Sequence, residues 1–236
     1  MRYNRSVSRL NLRNEHLMDM TSPDQTKKVF LLGSLGLGAL ILVGLIWAVA
    51  SGPGPTSNGS VSFDDANDPA IGSASSTVTV RVFGDFQCPA CRAAEPGFNY
   101  AKNKYGDRVK FIWNDFPLQA IHLNALPAAN AARCAEAQGK FWEYHDKLYS
   151  DQPTWSALAS PTEKFLAYAD ALGLKQDDFA KCVSEKTYES KIIADLQEGT
   201  RNRVNSTPSF FINDTLIASV LENDRWDQEI SARLGK

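Results

Sequence analysis

The spacing of apolar residues along the C-terminal two thirds of the chain predicts alternating strands and helices. Apart from Arg81, residues 77–83 are apolar or β-branched, which is typical of a strand. A helix is expected from residue 88 to about residue 105, and a Gly-Asp turn separates it from a second strand at 109–113. The first half of this region is therefore predicted to be β-α-β.

A long helical block follows, and two short strands come after it. Apolar residues at helical spacing continue through about 118–203. Beyond Pro208, residues 209–212 and 216–220 have the composition of strands, and 222–234 that of a closing helix. The predicted order is β-α-β, a helical block and β-β-α, which places the domain in the α/β class.

The N-terminal part has a different pattern. Residues 29–50 carry no charge, and at ~1.5 Å per residue they would cover about 33 Å, enough for a hydrocarbon core of ~30 Å. Lys and Arg residues precede this stretch, and none follows it until Arg81. We therefore expect a cytoplasmic segment at 1–28, one transmembrane helix at 29–50 and a catalytic domain outside the cytoplasm.

A cleaved signal peptide is the alternative, because Ala48-Val49-Ala50 resembles a cleavage site. The charged lead and the apolar run are both long for a signal peptide, which favours a retained anchor. Either interpretation puts the cysteines where disulfides persist. Residues 51–76 are small, polar or acidic, and they predict a flexible linker before a folded domain at 77–236.

The composition of the chain indicates a folded domain and gives no sign of nucleic-acid binding. The chain has 236 residues, of which 43% are hydrophobic, enough for one good core. Its formal net charge of −2 gives no support for nucleic acid as a partner.

The most informative motif is Cys88-Pro89-Ala90-Cys91. Two thiols separated by two residues can close and reopen a small ring, which is what a dithiol–disulfide couple requires. A strand before the motif and a helix after it would place Cys88 at the helix N-terminus, where unpaired N–H groups and the dipole favour a thiolate. Pro89 suits the first helical position. Cys88 is therefore the predicted nucleophile.

Two other interpretations of the motif remain open. A zinc site usually needs two such pairs, and the other cysteines, Cys134 and Cys182, stand far apart. The pair Cys88 and Cys91 could also be an inert structural bridge. No metal and no diffusible cofactor is predicted.

With the CxxC motif in that order of elements, the chain resembles the DsbA-like thiol:disulfide oxidoreductases. These enzymes have a thioredoxin fold with an inserted helical subdomain, here expected at about 118–203. Three segments carry the resemblance, over roughly residue 70 to the C-terminus: DFQCPACR at 85–92, QGKFWEYHDKLY at 138–149 and STPSFFIN at 206–213.

The resemblance implies roles for four residues. Cys88 would attack and Cys91 would resolve the mixed disulfide. Pro208 would follow a cis peptide bond, and Thr207 before it would offer its backbone to an extended substrate. An ordinary proline at a strand edge is the alternative for Pro208.

The chain departs from the family at two positions. Ala90 stands where strongly oxidising members have a histidine that would stabilise the thiolate. Val82 stands where many relatives have a buried carboxylate that handles the proton of the second cysteine. Water or another group, with Asp85 as one candidate, would then have to exchange protons with Cys91.

The remaining candidates are assigned structural roles. His122 and His145 lie in stretches predicted to be helical and are expected to pack or face solvent. Cys134 and Cys182, both in the predicted insertion and outside any short redox motif, are expected to form a structural disulfide; two buried free thiols are the alternative.

These features together predict a membrane-tethered enzyme that forms disulfides in reduced or unfolded exported proteins. The resemblance implies a quinone-linked membrane protein that reoxidises Cys88 and Cys91. A reductase or isomerase is one alternative, and a binding module with an inert Cys88–Cys91 bridge is another. An isomerase would usually need a dimerisation domain, and 51–76 is too short and polar for one.

Overall fold

The computed structural model describes residues 61–235. The predicted cytoplasmic segment (1–28), the predicted membrane helix (29–50) and the first part of the predicted linker (51–60) lie outside the described residues and remain predictions. Within residues 61–235, no helix is both long and apolar enough to span a bilayer.

Five strands form one mixed sheet. In chain order they are β1 (Ala70–Gly72), β2 (Thr79–Gly84), β3 (Lys110–Asp115), β4 (Ser209–Ile212) and β5 (Thr215–Ile217). Their order across the sheet is β1-β3-β2-β4-β5. Only β2 and β3 run parallel; the other neighbours in this sheet are antiparallel. Because β2 is central, the loop that follows it leaves from the middle of the sheet.

The side chains of β2 are divided between two apolar clusters. Val80 and Val82 belong to the larger cluster, together with Phe98, whereas Phe83 packs with Phe211 in the smaller one. Alternate residues of a strand point to opposite faces, so β2 buries apolar groups on both. The half-buried Thr79 and Arg81 alternate with these valines, and the alternation ends at Phe83, where the second face is buried as well.

Eight helices occur in residues 61–235. They are α1 (Pro89–Tyr105), α2 (Ala125–Glu136), α3 (Phe141–Ser150), α4 (Gln152–Trp155), α5 (Thr162–Ala171), α6 (Gln176–Glu185), α7 (Glu189–Arg201) and α8 (Asn223–Arg233). Helices α2 to α7 lie in the chain between β3 and β4, which confirms the predicted helical insertion.

Helices α1 and α8 approach each other closely beside the sheet. A Cβ atom at Gly97 of α1 would lie 2.3 Å from the carbonyl oxygen of Leu221 and 3.1 Å from Nε1 of Trp226, so only glycine fits there. Phe98, the next residue, packs against Phe210 and Trp226 with ring centroids 6.3 and 6.2 Å apart. The helix that carries the cysteine motif is thus held against the core.

The predicted boundary between linker and domain was wrong for the residues that the structure describes. The linker was expected to end at residue 76, but β1 lies within it and pairs antiparallel with β3, with Ala70 opposite Ile112. Asp68 is also buried. A three-residue strand is too short to show an alternating pattern, so it could not be predicted from the local sequence.

A buried arginine explains why this segment is ordered. Arg133 of α2 is 1% exposed and donates hydrogen bonds to carboxylate oxygens of Asp115 (2.7 Å), Asp195 (2.7 Å) and Asp68 (3.1 Å). It also donates to the carbonyl oxygen of Asn67 at 2.9 Å. A buried charge needs such partners, and here they come from the segment before β1, from β3 and from α7.

Candidate active site

Cys88 is the residue that immediately precedes α1, and Pro89 is its first helical residue. The strand β2 ends four residues earlier, at the centre of the sheet. Cys88 is 7% exposed and Cys91 is 3% exposed, and both are thiols in this structure. The predicted placement of the CxxC motif at the N-terminus of a helix is confirmed.

The two thiols have opposite acid–base properties. A hydrogen bond from Cys91 is the main cause that lowers the pKa of Cys88 to about 5; burial opposes this, and backbone N–H groups of Ala90 and Cys91 assist. Burial raises the pKa of Cys91 well above its usual value, and the nearby Cys88 thiolate raises it further. At neutral pH the site therefore holds a thiolate on Cys88 and a proton on Cys91.

The peptide before Pro208 is cis, as predicted, and it lies beside the nucleophile. The carbonyl oxygen of Thr207 is 3.5 Å from Sγ of Cys88. Thr207 is 8% exposed, and β4 begins two residues after it, at Ser209. The structure thus brings the CxxC motif beside Thr207 and Pro208, although the two segments lie more than a hundred residues apart in the chain.

Asp85 orders the turn between β2 and the first cysteine. It is 1% exposed, and its Oδ1 accepts a hydrogen bond from the backbone N–H of Gln87 at 2.7 Å. Its Oδ2 accepts from the N–H of Leu118 at 2.9 Å and lies 2.7 Å from Nδ1 of His122. The prediction that His122 lies in a helical stretch was wrong. It lies in the loop before α2, where it binds Asp85.

Two glutamines attach the cysteine loop to the helical insertion. Gln152 of α4 donates to the carbonyl oxygens of Phe86 (2.7 Å) and Cys88 (3.0 Å). Gln87 donates to the carbonyl oxygen of Ser156 at 2.7 Å. Sequence reasoning missed both residues, because a glutamine in a turn or in a short helix has no distinguishing pattern.

The predicted structural disulfide is present. It joins Cys134 of α2 to Cys182 of α6, with a sequence separation of 48 residues and a Cα–Cα distance of 5.9 Å. Cys134 is 1% exposed. This pair stabilises the insertion and lies outside the CxxC motif.

His145 packs as predicted, but it also has polar neighbours that the sequence did not reveal. The ring is fully buried in α3 and makes an edge contact with Trp113 at a centroid distance of 4.8 Å. Its Nε2 lies 3.7 Å from Oε1 of Glu95, and its Nδ1 lies 2.9 Å from Oδ1 of Asp146. These three side chains are also a group that could ligate a metal ion, so the absence of a metal site remains a prediction.

Comparison with known proteins identifies the family. A family model described as thioredoxin matches residues 64–232. The chain is 33% identical over 153 residues to the Na(+)/H(+) antiporter NhaA 1 of Salinispora arenicola, covering 65% of this chain. It spans only 22% of the length of that relative. It is also 23% identical over 170 residues to disulfide bond formation protein D of Bacillus subtilis, covering 70% of this chain and 77% of that protein.

Solved structures show the same fold. Oxidised BdbD from Bacillus subtilis superposes with a TM-score of 0.66 at 22% identity, covering 73% of this chain and 96% of that one. Wolbachia pipientis α-DsbA1 superposes with a TM-score of 0.64 at 23% identity, covering 72% and 92%. The likeness to DsbA-like proteins expected from the three motifs is therefore confirmed at the level of the fold, and the chain belongs to the thioredoxin family.

Proposed function

We propose that this chain is an extracytoplasmic thiol:disulfide oxidoreductase that introduces disulfides into exported proteins. The observation that carries the proposal is the contrast between the two thiols of the CxxC motif. Cys88 is acidic, with a pKa of about 5, whereas the pKa of Cys91 lies well above the usual value. The name of the matched Bacillus subtilis protein, disulfide bond formation protein D, supports the same chemistry.

The reaction follows from this contrast. In the oxidised enzyme, a substrate thiolate attacks Sγ of Cys88, the Cys88–Cys91 bond breaks, and its electron pair leaves on Cys91, which takes up a proton. A second substrate thiolate then attacks the substrate sulfur of the mixed disulfide. The substrate leaves with a new disulfide, and Cys88 leaves as a thiolate. Two electrons pass to the enzyme.

The acidity of Cys88 supports the oxidising direction. A thiol with a low pKa is a good leaving group and stabilises the reduced enzyme, which makes the disulfide a stronger oxidant. The pKa of Cys88, about 5, lies between the values of about 3.5 for DsbA and about 7 for thioredoxin. We therefore place the reduction potential between about −120 and −270 mV, the values of those two proteins.

The substrate would bind along the cis-proline loop. Thr207 lies beside Cys88, and an extended polypeptide could pair with its backbone while the substrate sulfur reaches the nucleophile. The helix predicted at 29–50, left uncleaved, would anchor the enzyme at the outer face of the cell membrane. A quinone-linked membrane protein would then reoxidise Cys88 and Cys91.

The equilibrium of Cys88 and Cys91 with glutathione tests the direction. The oxidase assignment predicts a potential clearly above that of thioredoxin and efficient oxidation of a reduced model protein. The enzyme would instead be a reductase if its potential lies at or below that of thioredoxin and if it reduces insulin without oxidising the reduced model protein. A Cys88–Cys91 bridge that resists mild dithiol, while the sulfurs remain inaccessible to trapping reagents, would show an inert bridge in a binding module.

A further inference from the structure

The histidine in the loop between β3 and α2 points towards the turn that carries the cysteine motif. The side chain of His122 is 15% exposed, whereas its neighbours Ile121 and Leu123 are 71% and 81% exposed. Nδ1 of His122 lies 2.7 Å from Oδ2 of Asp85, whose side chain is fully buried. A polar ring turned inward between two exposed aliphatic residues indicates that the contact with Asp85 fixes the position of His122.

The backbone of Asp85 interacts with both cysteines. Its carbonyl oxygen accepts a hydrogen bond from the N–H of Cys88 at 3.0 Å and another from the hydroxyl of Tyr149 at 3.2 Å. Burial raises the pKa of Cys91 well above its usual value, and a hydrogen bond from the backbone of Asp85 opposes that effect. A displacement of Asp85 would therefore alter the surroundings of both sulfurs.

The carboxylate of Asp85 fixes the same backbone through its side chain. Oδ1 accepts from the N–H of Gln87 at 2.7 Å, which closes the turn locally. Oδ2 accepts from the N–H of Leu118 at 2.9 Å and faces His122. Both oxygens serve as acceptors, so Nδ1 of His122 supplies the hydrogen of the third contact. All three contacts hold the turn before Cys88 in place.

The loop between β3 and α2 (residues 116–124) is well supported. The carbonyl oxygen of Leu118 accepts from the N–H groups of Ile121 and His122, both at 2.9 Å. The N–H of Asn124 donates to Oε1 of Gln87 at 2.6 Å. His122 therefore lies on a loop that has its own hydrogen bonds and a second attachment to the cysteine turn.

The contact should matter more in the reduced enzyme than in the oxidised one. In the oxidised form, the bond between Cys88 and Cys91 closes a ring that holds the turn covalently. In the reduced form, the thiolate of Cys88 depends on hydrogen bonds from Cys91 and from backbone N–H groups, and these require the turn to keep its shape. Groups that hold the turn therefore stabilise the reduced form selectively, which makes the disulfide a stronger oxidant.

We propose that His122, acting through Asp85, is a positioning residue that makes the Cys88–Cys91 couple more oxidising, an inference that rests on the proposed function. His122 holds the carboxylate of Asp85, and Asp85 holds the backbone against which both sulfurs lie. The dipeptide inside the motif, Pro89-Ala90, has no ionisable side chain. Side-chain support for the reduced form therefore comes from outside the motif.

The test compares the reduction potential with the stability of both redox forms. His122→Leu removes the donor and keeps a side chain of similar volume. The equilibrium constant for reduction of the enzyme by glutathione should fall about 10-fold, equivalent to about 30 mV for a two-electron couple. Urea unfolding should show a larger loss of stability in the reduced form than in the oxidised form. Because oxidation and unfolding form a closed cycle, the excess should match the change in the equilibrium constant.

Two further variants test the route through Asp85. His122→Asn keeps an N–H donor near the position of Nδ1 and should restore most of the equilibrium constant. Asp85→Asn replaces one acceptor oxygen by a donor and should shift the equilibrium constant in the same direction as His122→Leu. In the Asp85→Asn background, His122→Leu should add little, since the contact is already lost.

Asn124→Ala is the matched control from the same loop. The side chain of Asn124 donates to the carbonyl oxygens of Ser156 and Leu158, at 3.2 and 2.8 Å, and so supports the loop on the side of the helical insertion. Its loss should lower the stability of both redox forms by similar amounts. The equilibrium constant with glutathione should stay within about twofold of wild type.

Three outcomes would overturn the proposal. One is an unchanged equilibrium constant in His122→Leu, and another is an equal loss of stability in its two redox forms, which would indicate a structural role alone. The third is a His122→Asn variant that shifts as far as His122→Leu, because the donor at Nδ1 would then be irrelevant. Failure of wild-type Cys88 and Cys91 to equilibrate with glutathione at all would refute the proposed function itself.

Discussion

The two cysteine pairs of this chain occupy opposite kinds of position. Cys88 and Cys91 lie on one turn at the N-terminus of α1, at the centre of the sheet. Cys134 and Cys182 lie within α2 and α6 and join two helices across 48 residues of sequence. The first pair is surrounded by groups that favour a thiolate on one sulfur and a thiol on the other. The second pair forms a disulfide, so neither of its sulfurs titrates. Location relative to helix ends, more than residue type, distinguishes reactive from structural sulfur.

The largest expected effect comes from removing the nucleophile. Cys88→Ser should reduce disulfide exchange to background, because no other acidic thiol is placed beside Thr207. Cys91→Ser should accumulate mixed disulfides between Cys88 and substrate, since the resolving sulfur is missing. Mass spectrometry of trapped adducts is the measurement. Adducts attached to Cys134 or Cys182 would contradict the division of roles.

Loss of the Cys134–Cys182 disulfide should lower the stability of the protein and leave the rate of disulfide exchange nearly unchanged. Replacing Cys134 and Cys182 by Ala removes a cross-link across 48 residues, which the chain-entropy model values at ~4 kcal/mol. Thermal and urea unfolding of the oxidised protein measure the loss, and the glutathione exchange rate serves as the control. Slower exchange at unchanged stability would instead show that the second pair relays electrons.

The acidity of Cys88 should appear as a pH-dependent stability of the reduced protein. The pKa falls from 9.0 to about 5 on folding, so the stabilisation is fully present above the unfolded value and is lost as the pH falls through about 5. Between these limits the stability of the reduced form should rise with pH by at most ~1.4 kcal/mol per unit. Cys91 stays protonated in this window.

Urea unfolding of the reduced and oxidised forms at a series of pH values measures this slope, and Cys88→Ala is the matched control. The oxidised form has no thiolate and should lack the slope. Thiolate absorbance should titrate with a midpoint near 5. A midpoint near the ordinary cysteine value would show that α1 does not activate Cys88.

The smallest effect is expected at the contact between the cysteine loop and the insertion. Gln152→Leu leaves the carbonyl oxygen of Phe86 without its donor and removes one of the bonds to Cys88. A loss of ~1–3 kcal/mol in stability and a small rise in the pKa of Cys88 should follow. Gln138→Leu, which breaks only an exposed contact with Lys175, is the control and should be nearly neutral. Equal effects of the two variants would show that Gln152 does not position the loop.

Features encoded locally could be predicted from the sequence. The CxxC motif between a strand and a helix, and the helical block between the halves of the sheet, follow from periodicity and from residues with a fixed local preference. The cis peptide before Pro208 followed from the resemblance to a family. The pairing of Cys134 with Cys182 required only that two helical cysteines in one subdomain lack other partners.

Features made by distant residues could not be predicted in the same way. Glu95 meets His145, and Asp85 meets His122, across long stretches of chain without a local pattern. The burial of Asp68 depends on Arg133, which is 65 residues away. Such polar contacts are specified by the packed fold, since each partner taken alone has the composition of an ordinary surface residue.

The edges of the sheet have a consequence for an enzyme that meets unfolded chains. The outer strands β1 and β5 are only three residues long, and Pro69 directly precedes β1. An open edge of β3, by contrast, would offer the backbone of six residues, five of them buried, to any extended polypeptide. Short edge strands are poor templates for further pairing. Because β1 pairs with β3, an extended polypeptide finds no long strand edge to pair with at this side of the sheet. A substrate held in a mixed disulfide at Cys88 can therefore be released without aggregating on the enzyme.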